Sequence, residues 1–560
     1  MKIALIFPPQ WDPRQVPLCI PTLAGVLKPE KHDVRAWDMN LSLYRSILLQ
    51  QHGSLKRQRL IKRYLNPHTL ADCRRFGRTS NRVEDLIDDG YHHNNTHGLF
   101  WDFIQTDLSP DASRNWRTAV KRPGCFPFHQ RIKPSILDVV QSMPDLVCIS
   151  INSDTQIFGG LSIASVFRSK LPKAKIVIGG QALRARRHLL VEHDWLFETV
   201  DAICVSDGEP TLKALAKGMP LPEVPNILWY NGWVVQSPKE SEPVYFTNAY
   251  EPDYSVVEPA QYLSPLSVIP VETARGCPWS RCSYCGHRAI ELHGKKKYVP
   301  RPLGSVLSEI QMHVSKGYSR FFFVDEAIPC DRLRALSTGL SGIKGDLSWI
   351  CYIRPEPTYD SSVFHLARQS GCLKVFIGLE SGSGRVMQLH QRGTTPEIVR
   401  RVVLDASKAG LAIHLFVIAE FPDESKADIE ATDQFLKDVL PSVDAFGFTY
   451  DVFQLTAELG TPLYEQPGMF GAAGFRRNTK ADLQYDFQMI PTNTEDFLHH
   501  ARHEKRIRSV VEKYLQHRNG LRHIESIDDS THLLLIEKHL DAQAPRWLSL
   551  ARPDLNPAWR

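Results

Sequence analysis

No stretch of this 560-residue chain approaches the roughly 18 consecutive apolar residues of a membrane span, and no block of its composition points to disorder. The opening Met1-Lys2-Ile3-Ala4-Leu5-Ile6-Phe7-Pro8-Pro9 lacks the apolar length and the small-residue cleavage site of a secretion signal, so it reads as a buried first strand. Basic residues form no stripe interleaved with aromatics, and the formal net charge of +5 is spread along the chain, which argues against a nucleic-acid module. Outside one cluster the cysteines (Cys19, Cys73, Cys125, Cys148, Cys204, Cys330, Cys351, Cys372) stand singly, several in apolar strand-like segments, as expected of reduced core thiols in a cytoplasmic protein. With 42% apolar and 23% charged residues the composition is that of a soluble globular protein. The chain is too long for one hydrophobic core and implies about two to four domains.

The exception among the cysteines is Gly276-Cys277-Pro278-Trp279-Ser280-Arg281-Cys282-Ser283-Tyr284-Cys285-Gly286, which places three of the eleven within nine residues. Three thiolates so close can hold a soft metal centre, and no cysteine supplies a fourth ligand nearby. One reading closes the site with His287 as a zinc knot; the other is a 4Fe-4S cluster on three cysteines, with one iron open to a small molecule.

Upstream, short apolar runs alternate with helical stretches. Lys2 to Phe7, Asp33 to Trp37, Leu146 to Ser150, Lys175 to Gly180 and Ala202 to Val205 read as strands, with a helix from about Gly160 to Lys170 among the connections. This order predicts a parallel, doubly wound sheet whose ligand lies beyond the strand carboxyl ends. Those ends carry Pro8-Pro9, Ser150 to Thr155, Gly179-Gly180 and Asp207-Gly208-Glu209. A long interruption, residues 43–133, is predicted to be mostly helical, because a structureless loop of that length is improbable in a compact domain. Its run His92-His93-Asn94-Asn95-Thr96-His97 is not taken as a metal site. Residues 223–265 read as a linker.

From Leu266 the alternation restarts: Leu266 to Thr273, Arg320 to Val324, Trp349 to Ile353, Leu373 to Gly378, Ala412 to Ile418 and Ala445 to Tyr450 as six strands, with helices such as that of Val306, Leu307, Ile310 and Val314 between them. Six such units make a three-quarter barrel whose chemistry belongs at the strand carboxyl ends, where the cysteine loop also falls. The charged remainder, residues 472–560, reads as helical.

These motifs, in this order, resemble the cobalamin-binding-domain-containing branch of the radical S-adenosylmethionine (SAM) enzymes. The resemblance rests on Phe7-Pro8-Pro9, Pro17 to Ala24, Asp38-Met39-Asn40, Gly179-Gly180 and Asp207 to Pro210 in the first half. In the second half it rests on the cysteine triplet with Tyr284, Val324-Asp325-Glu326, Arg354, Gly378 to Gly382, Phe421 to Ser425 and Gly460 to Tyr464.

It implies a Rossmann-like cobalamin-binding domain over residues 1–222, a partial (β/α)6 radical SAM barrel over 266–471 and a C-terminal helical region. By the same resemblance Cys277, Cys282 and Cys285 hold a 4Fe-4S cluster. Tyr284, Asp325, Glu326, Arg354, Glu380 and Ser381 lie near SAM, and Pro8, Thr22, Ser150, Thr155, Gly179, Gly180 and Glu209 near cobalamin. The implied activity is reductive cleavage of SAM driving C-methylation of an unactivated carbon of a peptide or natural-product substrate, with oxidative or rearrangement chemistry by the same cofactors, or a non-catalytic metal-binding protein on this scaffold, as the alternatives. A flavodoxin or ferredoxin would supply electrons. The chain departs from the family in three ways. It lacks Asp-x-His-x-x-Gly, the interval between Cys277 and Cys282 is four residues, and Ala419-Glu420 replaces the glycine expected before Phe421.

Overall fold

The computed structural model of the protein describes residues 1–49, 55–92, 108–126, 128–236, 251–287, 298–444, 447–492, 494–517 and 529–543. Lys2–Phe7 (β1) buries every side chain after its first and pairs in parallel with Asp33–Asp38 (β2) on one side and Leu146–Ser150 (β3) on the other. Lys175–Gly179 (β4) and Ala202–Cys204 (β5) continue the parallel sheet in the order β2-β1-β3-β4-β5. Strands covered on both faces need continuous apolar runs, and these have them. The order reverses between β1 and β3, the switch point beside which doubly wound folds bind their ligands.

Between β2 and β3 the described residues are helical, as expected: Met39–Leu48, Leu55–Tyr64, Cys73–His92, Ser113–Lys121 and His129–Ser142. Buried Tyr44, Phe76, Trp116 and Phe128 tie them to the core of the sheet. Residues 93–97, with their histidines, and the aromatic stretch 99–103 lie outside the described residues.

The expected linker is corrected at its start. Ile227–Tyr230 (β6) pairs antiparallel with β5, and Val235–Gln236 (β7) with β6, so the first sheet has seven strands. Burial of Ile227 and Leu228, and a turn at Asn231-Gly232 with Gly232 at φ 96°, give the physical reason. Farther on, Tyr262 Oη donates to Asp38 at 2.6 Å and Tyr254 Oη to the Pro270 carbonyl at 2.9 Å, which fastens the first sheet to the second.

The second sheet is wholly parallel, in the order β15-β14-β13-β12-β11-β8: Ile269–Val271 (β8), Arg320–Ile328 (β11), Ser348–Ile353 (β12), Cys372–Glu380 (β13), Ala412–Ala419 (β14) and Thr449–Gln454 (β15). Ala274–Arg275 (β9) and Val299–Pro300 (β10) form a small antiparallel pair flanking the cysteine loop. The six strands and their helices make the expected partial barrel. Its first strand is shorter than the sequence suggested and its sixth starts at Thr449.

The tail differs from the expected helical region. Thr456–Glu458 (β16), Ala472–Arg476 (β17) and Asp486–Pro491 (β18) form an antiparallel sheet before the helices Thr494–His517 and Asp529–Gln543 begin. Buried Leu463, Phe470 and Ala457 cluster with Ile418 and Phe421 and hold this region against the barrel's carboxyl end. The helix Asp529–Gln543 closes the opposite end. Glu537 accepts from Arg320 Nε at 2.7 Å and Ser348 Oγ at 2.9 Å, and Lys374 Nζ reaches Asp529 at 3.1 Å and His532 Nδ1 at 3.0 Å. Among the described residues no helix is long and apolar enough to cross a membrane.

Candidate active site

The cysteine loop leaves β9 through Gly276, at φ 80°, and is pinned at two points. The Trp279 indole donates to the Gln391 carbonyl at 2.8 Å and lies beneath the Arg354 guanidinium, 4.4 Å from the ring centre, with Arg281 at 5.1 Å. Gly393, at φ 66°, runs so close under the indole that any side chain there would collide. Four residues later Ser283 takes the second anchor: its N–H donates to the His390 carbonyl at 3.1 Å and its hydroxyl bonds His390 Nδ1 at 2.8 Å. The long interval between the first two cysteines is thus a bulge with Ser280 at φ 48°, seated by Trp279.

Cys277, Cys282 and Cys285 are free thiols, Cys282 buried and the others half-buried. Burial pushes the Cys277 thiol up, while backbone N–H groups of Ser280 and Trp279 and the Arg392 charge favour its thiolate. Arg392 Nη1 lies 3.9 Å from Cys282 Sγ. Among the described residues, no three His, Cys, Asp or Glu side chains form a ready site for a single ion. Three thiols on one loop, supplied with N–H donors and a buried guanidinium, fit an anionic cluster held by thiolates.

The other residues singled out by sequence fall around this loop. Tyr284 packs on His390 and Phe421, and its buried hydroxyl has no hydrogen-bond partner among the described residues. Glu380 ends β13 in the left-handed region, at φ 63°, and pairs with Arg392 at 3.3 Å. Glu326 is half-buried beside His287, 3.9 Å away. Asp325, Ser381 and Arg354 turn inward instead. Asp325 accepts from the backbone N–H of Thr273 at 2.6 Å and from its hydroxyl, Ser381 Oγ accepts from the Ser383 N–H at 3.1 Å, and Arg354 donates to Glu356 and to the Arg392 carbonyl at 2.7 and 2.6 Å. Glu420, standing where the family has glycine, adopts φ 69°, the left-handed conformation glycine takes most easily.

Beyond β3, β4 and β5 lies a cavity of about 270 Å³. Of the residues that the resemblance puts near cobalamin, Thr22, Ser150, Gly179, Gly180 and Glu209 line this cavity; Pro8 and Thr155 do not. The Pro8 carbonyl accepts from Gln156 at 2.6 Å, and the Thr155 hydroxyl donates to the Gln10 carbonyl at 2.9 Å, so both brace the loop behind the cavity. Three thiols read from sequence as plain core residues, Cys19, Cys148 and Cys204, also line it. Burial pushes them up, Cys19 to about 11 and Cys148 to about 12, so they present neutral S–H groups.

The far wall comes from the barrel: Glu272, Arg275 and Glu326. Arg275 joins the two halves, bonding Glu209 at 2.5 Å and Glu272 at 2.9 Å, with Asp207 at 3.4 Å. Inside the barrel, Phe322, Tyr352, Phe376, Phe416 and Phe453, one from each of β11 to β15, stack in a layer with successive ring centres 4.7 to 6.3 Å apart. Phe453 and Val324 stay 49% and 36% exposed there, so the layer offers an uncovered apolar surface.

Residues 271–436 match the family model of the Radical SAM superfamily. The barrel thus carries a radical SAM domain. An uncharacterized methyltransferase of Pyrococcus horikoshii, PH0819, is 27% identical over 336 residues, covering 58% of this chain and 69% of its own. The cobalamin-dependent SAM radical enzyme OxsB, solved with aqua-cobalamin and SAM, has the same fold at a TM-score of 0.61 and 14% identity, over 97% of this chain and 75% of its own. TsrM, a radical SAM methyltransferase of Kitasatospora setae solved with cobalamin and a 4Fe-4S cluster, follows at 0.57 and 13%, over 97% of this chain and 100% of its own. The shared fold therefore includes the N-terminal Rossmann-like sheet as well as the radical SAM barrel.

Arg275, Trp279, Arg392 and the three cavity thiols are not among the site residues that the sequence singles out. Arg275 and Trp279 sit within or beside the cysteine motif and could have been suspected from that. Cys19 lies within Pro17 to Ala24, whereas Arg392, Cys148 and Cys204 carry no local signal, because only the folded topology brings them to the site.

Proposed function

We propose that the protein cleaves SAM reductively at a 4Fe-4S cluster and methylates an unactivated carbon of a peptide or natural-product substrate with the help of cobalamin. When bound, the cluster supplies an electron to the SAM sulfonium and cobalamin supplies the methyl group. Cys277, Cys282 and Cys285 hold the cluster on a loop fixed by Trp279 and Ser283. Glu326 and Glu380 stand at the barrel mouth to receive the amino group of SAM, while Asp325, Ser381 and Arg354 position the strand ends that carry them. Gly179 and Gly180 let backbone approach a large flat ligand, and Thr22, Ser150 and Glu209 give it polar contacts. Residues 1–222 form the cobalamin unit and 266–471 the SAM unit. The aromatic layer excludes water and takes the apolar part of the substrate. Electrons come from a flavodoxin or ferredoxin.

One observation carries this reading: the cavity at the ends of β3, β4 and β5 is completed by Glu272, Arg275 and Glu326, residues that flank the cysteine loop in the fold. The likeness to OxsB and TsrM supports it. Anaerobic reconstitution is expected to give a brown protein with about four irons and four sulfides per chain, and Cys282→Ala to lose them. Cobalamin mixed with the wild type should survive desalting. Thr22→Phe, which fills the cavity, should abolish its retention and leave iron intact. A colourless protein holding one zinc would refute the cluster, and cobalamin lost equally from wild type and variant would refute the cavity assignment.

A further inference from the structure

Arg392 is the buried cation of the cysteine loop, and its surroundings are built to hold it. Its side chain is 10% exposed; Nη1 points to Cys282 Sγ at 3.9 Å, and Nη2 donates to the Gly378 carbonyl at 3.1 Å and pairs with Glu380 at 3.3 Å. A side chain at Gly378 would occupy the space of both the Arg392 guanidinium and the Glu380 carboxylate, so β13 has glycine where these two meet. The backbone is held as well. The Arg392 N–H donates to the Met387 carbonyl at 2.9 Å, and its carbonyl receives Arg354 Nη2 at 2.6 Å, while Arg354 in turn covers Trp279.

We propose that Arg392 sets the reduction potential of the cluster through its charge on the Cys282 sulfur, and that Glu380 offsets part of that charge. This rests on the cluster assignment above. Reduction adds one electron to the cluster, and a nearby cation with an N–H aimed at a ligating sulfur stabilises the added charge and raises the potential. A neighbouring carboxylate acts in the opposite sense. Glu380 thus has a part beyond contact with SAM: whatever draws its carboxylate away from Arg392 makes the cluster easier to reduce.

The test is a dithionite titration of the reconstituted full-length protein without SAM, followed by the electron paramagnetic resonance of the reduced cluster, with iron content measured on each sample. Arg392→Gln is expected to lower the potential by at least a tenfold change in the reduction equilibrium, about 59 mV for one electron. Arg392→Lys should restore part of it. Glu380→Gln should shift it upward. Opposite signs from two residues in contact are not expected of a merely structural role. Unchanged potentials, or shifts of the same sign, overturn the proposal; should Arg392→Gln fail to hold iron, the sign of the Glu380→Gln shift decides. A wild type that takes up no iron overturns the cluster assignment itself, and this proposal with it.

Discussion

Asp325 shows how a residue beside the site can be spent on architecture. Burial raises its carboxyl to about 7, against the hydrogen bonds from Thr273 that lower it. Its folded value lies above the unfolded 3.8, so the folded protein holds a proton that the unfolded chain releases. The stability this contributes is complete below about pH 4 and is lost as pH rises through 7, at about 1.4 kcal/mol per pKa unit, or a few kcal/mol in all. Asp325→Asn keeps an acceptor for the Thr273 N–H and a donor for its hydroxyl, and does not titrate. In urea unfolding from pH 5 to 8 the wild type is expected to lose stability relative to Asp325→Asn; parallel curves would show that the carboxyl titrates elsewhere. The motif Val324-Asp325-Glu326 made both carboxylates legible in the sequence. Alternation along a strand sends the two to opposite faces, but only the folded chain shows that Asp325 meets Thr273 while Glu326 faces the cavity.

Among the elements, strands with continuous apolar runs were the readable ones. Lys2–Phe7 and Leu146–Ser150 are buried on both faces, and their composition says so. Ile227–Tyr230 hides in a stretch rich in proline, asparagine, aromatic and acidic residues that reads as linker, although Asn231-Gly232 after an apolar run is a hairpin signal. The strands Ala472–Arg476 and Asp486–Pro491 mix glycine, arginine and glutamine on a partly exposed sheet, so no period distinguishes them from a charged tail. The helix Asp529–Gln543 was legible as a helix but not as the plug of the barrel. That role depends on Arg320, Ser348 and Lys374 at the amino ends of three strands, more than 150 residues away in sequence. Breaking one side of a buried pair leaves a charge without its partner and costs about 3–5 kcal/mol, whereas replacing both sides with apolar groups can be nearly neutral. Glu537→Ala should therefore lower the unfolding free energy read from urea titration by about 3–5 kcal/mol, and Arg320→Met with Glu537→Leu should recover most of it. An additive or larger loss in the double variant would mean that helix and barrel are held by something other than this pair.

For the whole molecule the question is how a nucleotide-type sheet and a barrel are kept in register. Arg275 joins them at the cavity; a second joint, Arg186, lies away from it. Its side chain is fully buried and reaches three parts of the chain at once. It bonds Asp154 after β3 at 2.6 and 2.9 Å, Asp111 in the helical insertion at 2.8 Å, and the Leu483 carbonyl before β18 at 3.0 Å, with the Tyr485 ring 4.5 Å from its guanidinium carbon. Burial disfavours the charge, and the bonds to Asp154 and Asp111 more than restore it. Since Asp154 follows a strand of the first sheet and Leu483 precedes a strand of the sheet packed on the barrel, removing the guanidinium should weaken the link between the two halves more than it weakens either half. Arg186→Met keeps the stem and deletes the charge, at a cost of about 3–5 kcal/mol if the pair behaves as buried pairs do. By calorimetry the variant is expected to unfold in two resolved steps where the wild type shows one, with the iron content of the folded variant unchanged because the partners of Arg186, at Asp111, Asp154, Leu483 and Tyr485, lie outside the cysteine loop. A single transition at the wild-type temperature would show that Arg275 and the contacts of Tyr254 and Tyr262 carry the joint alone.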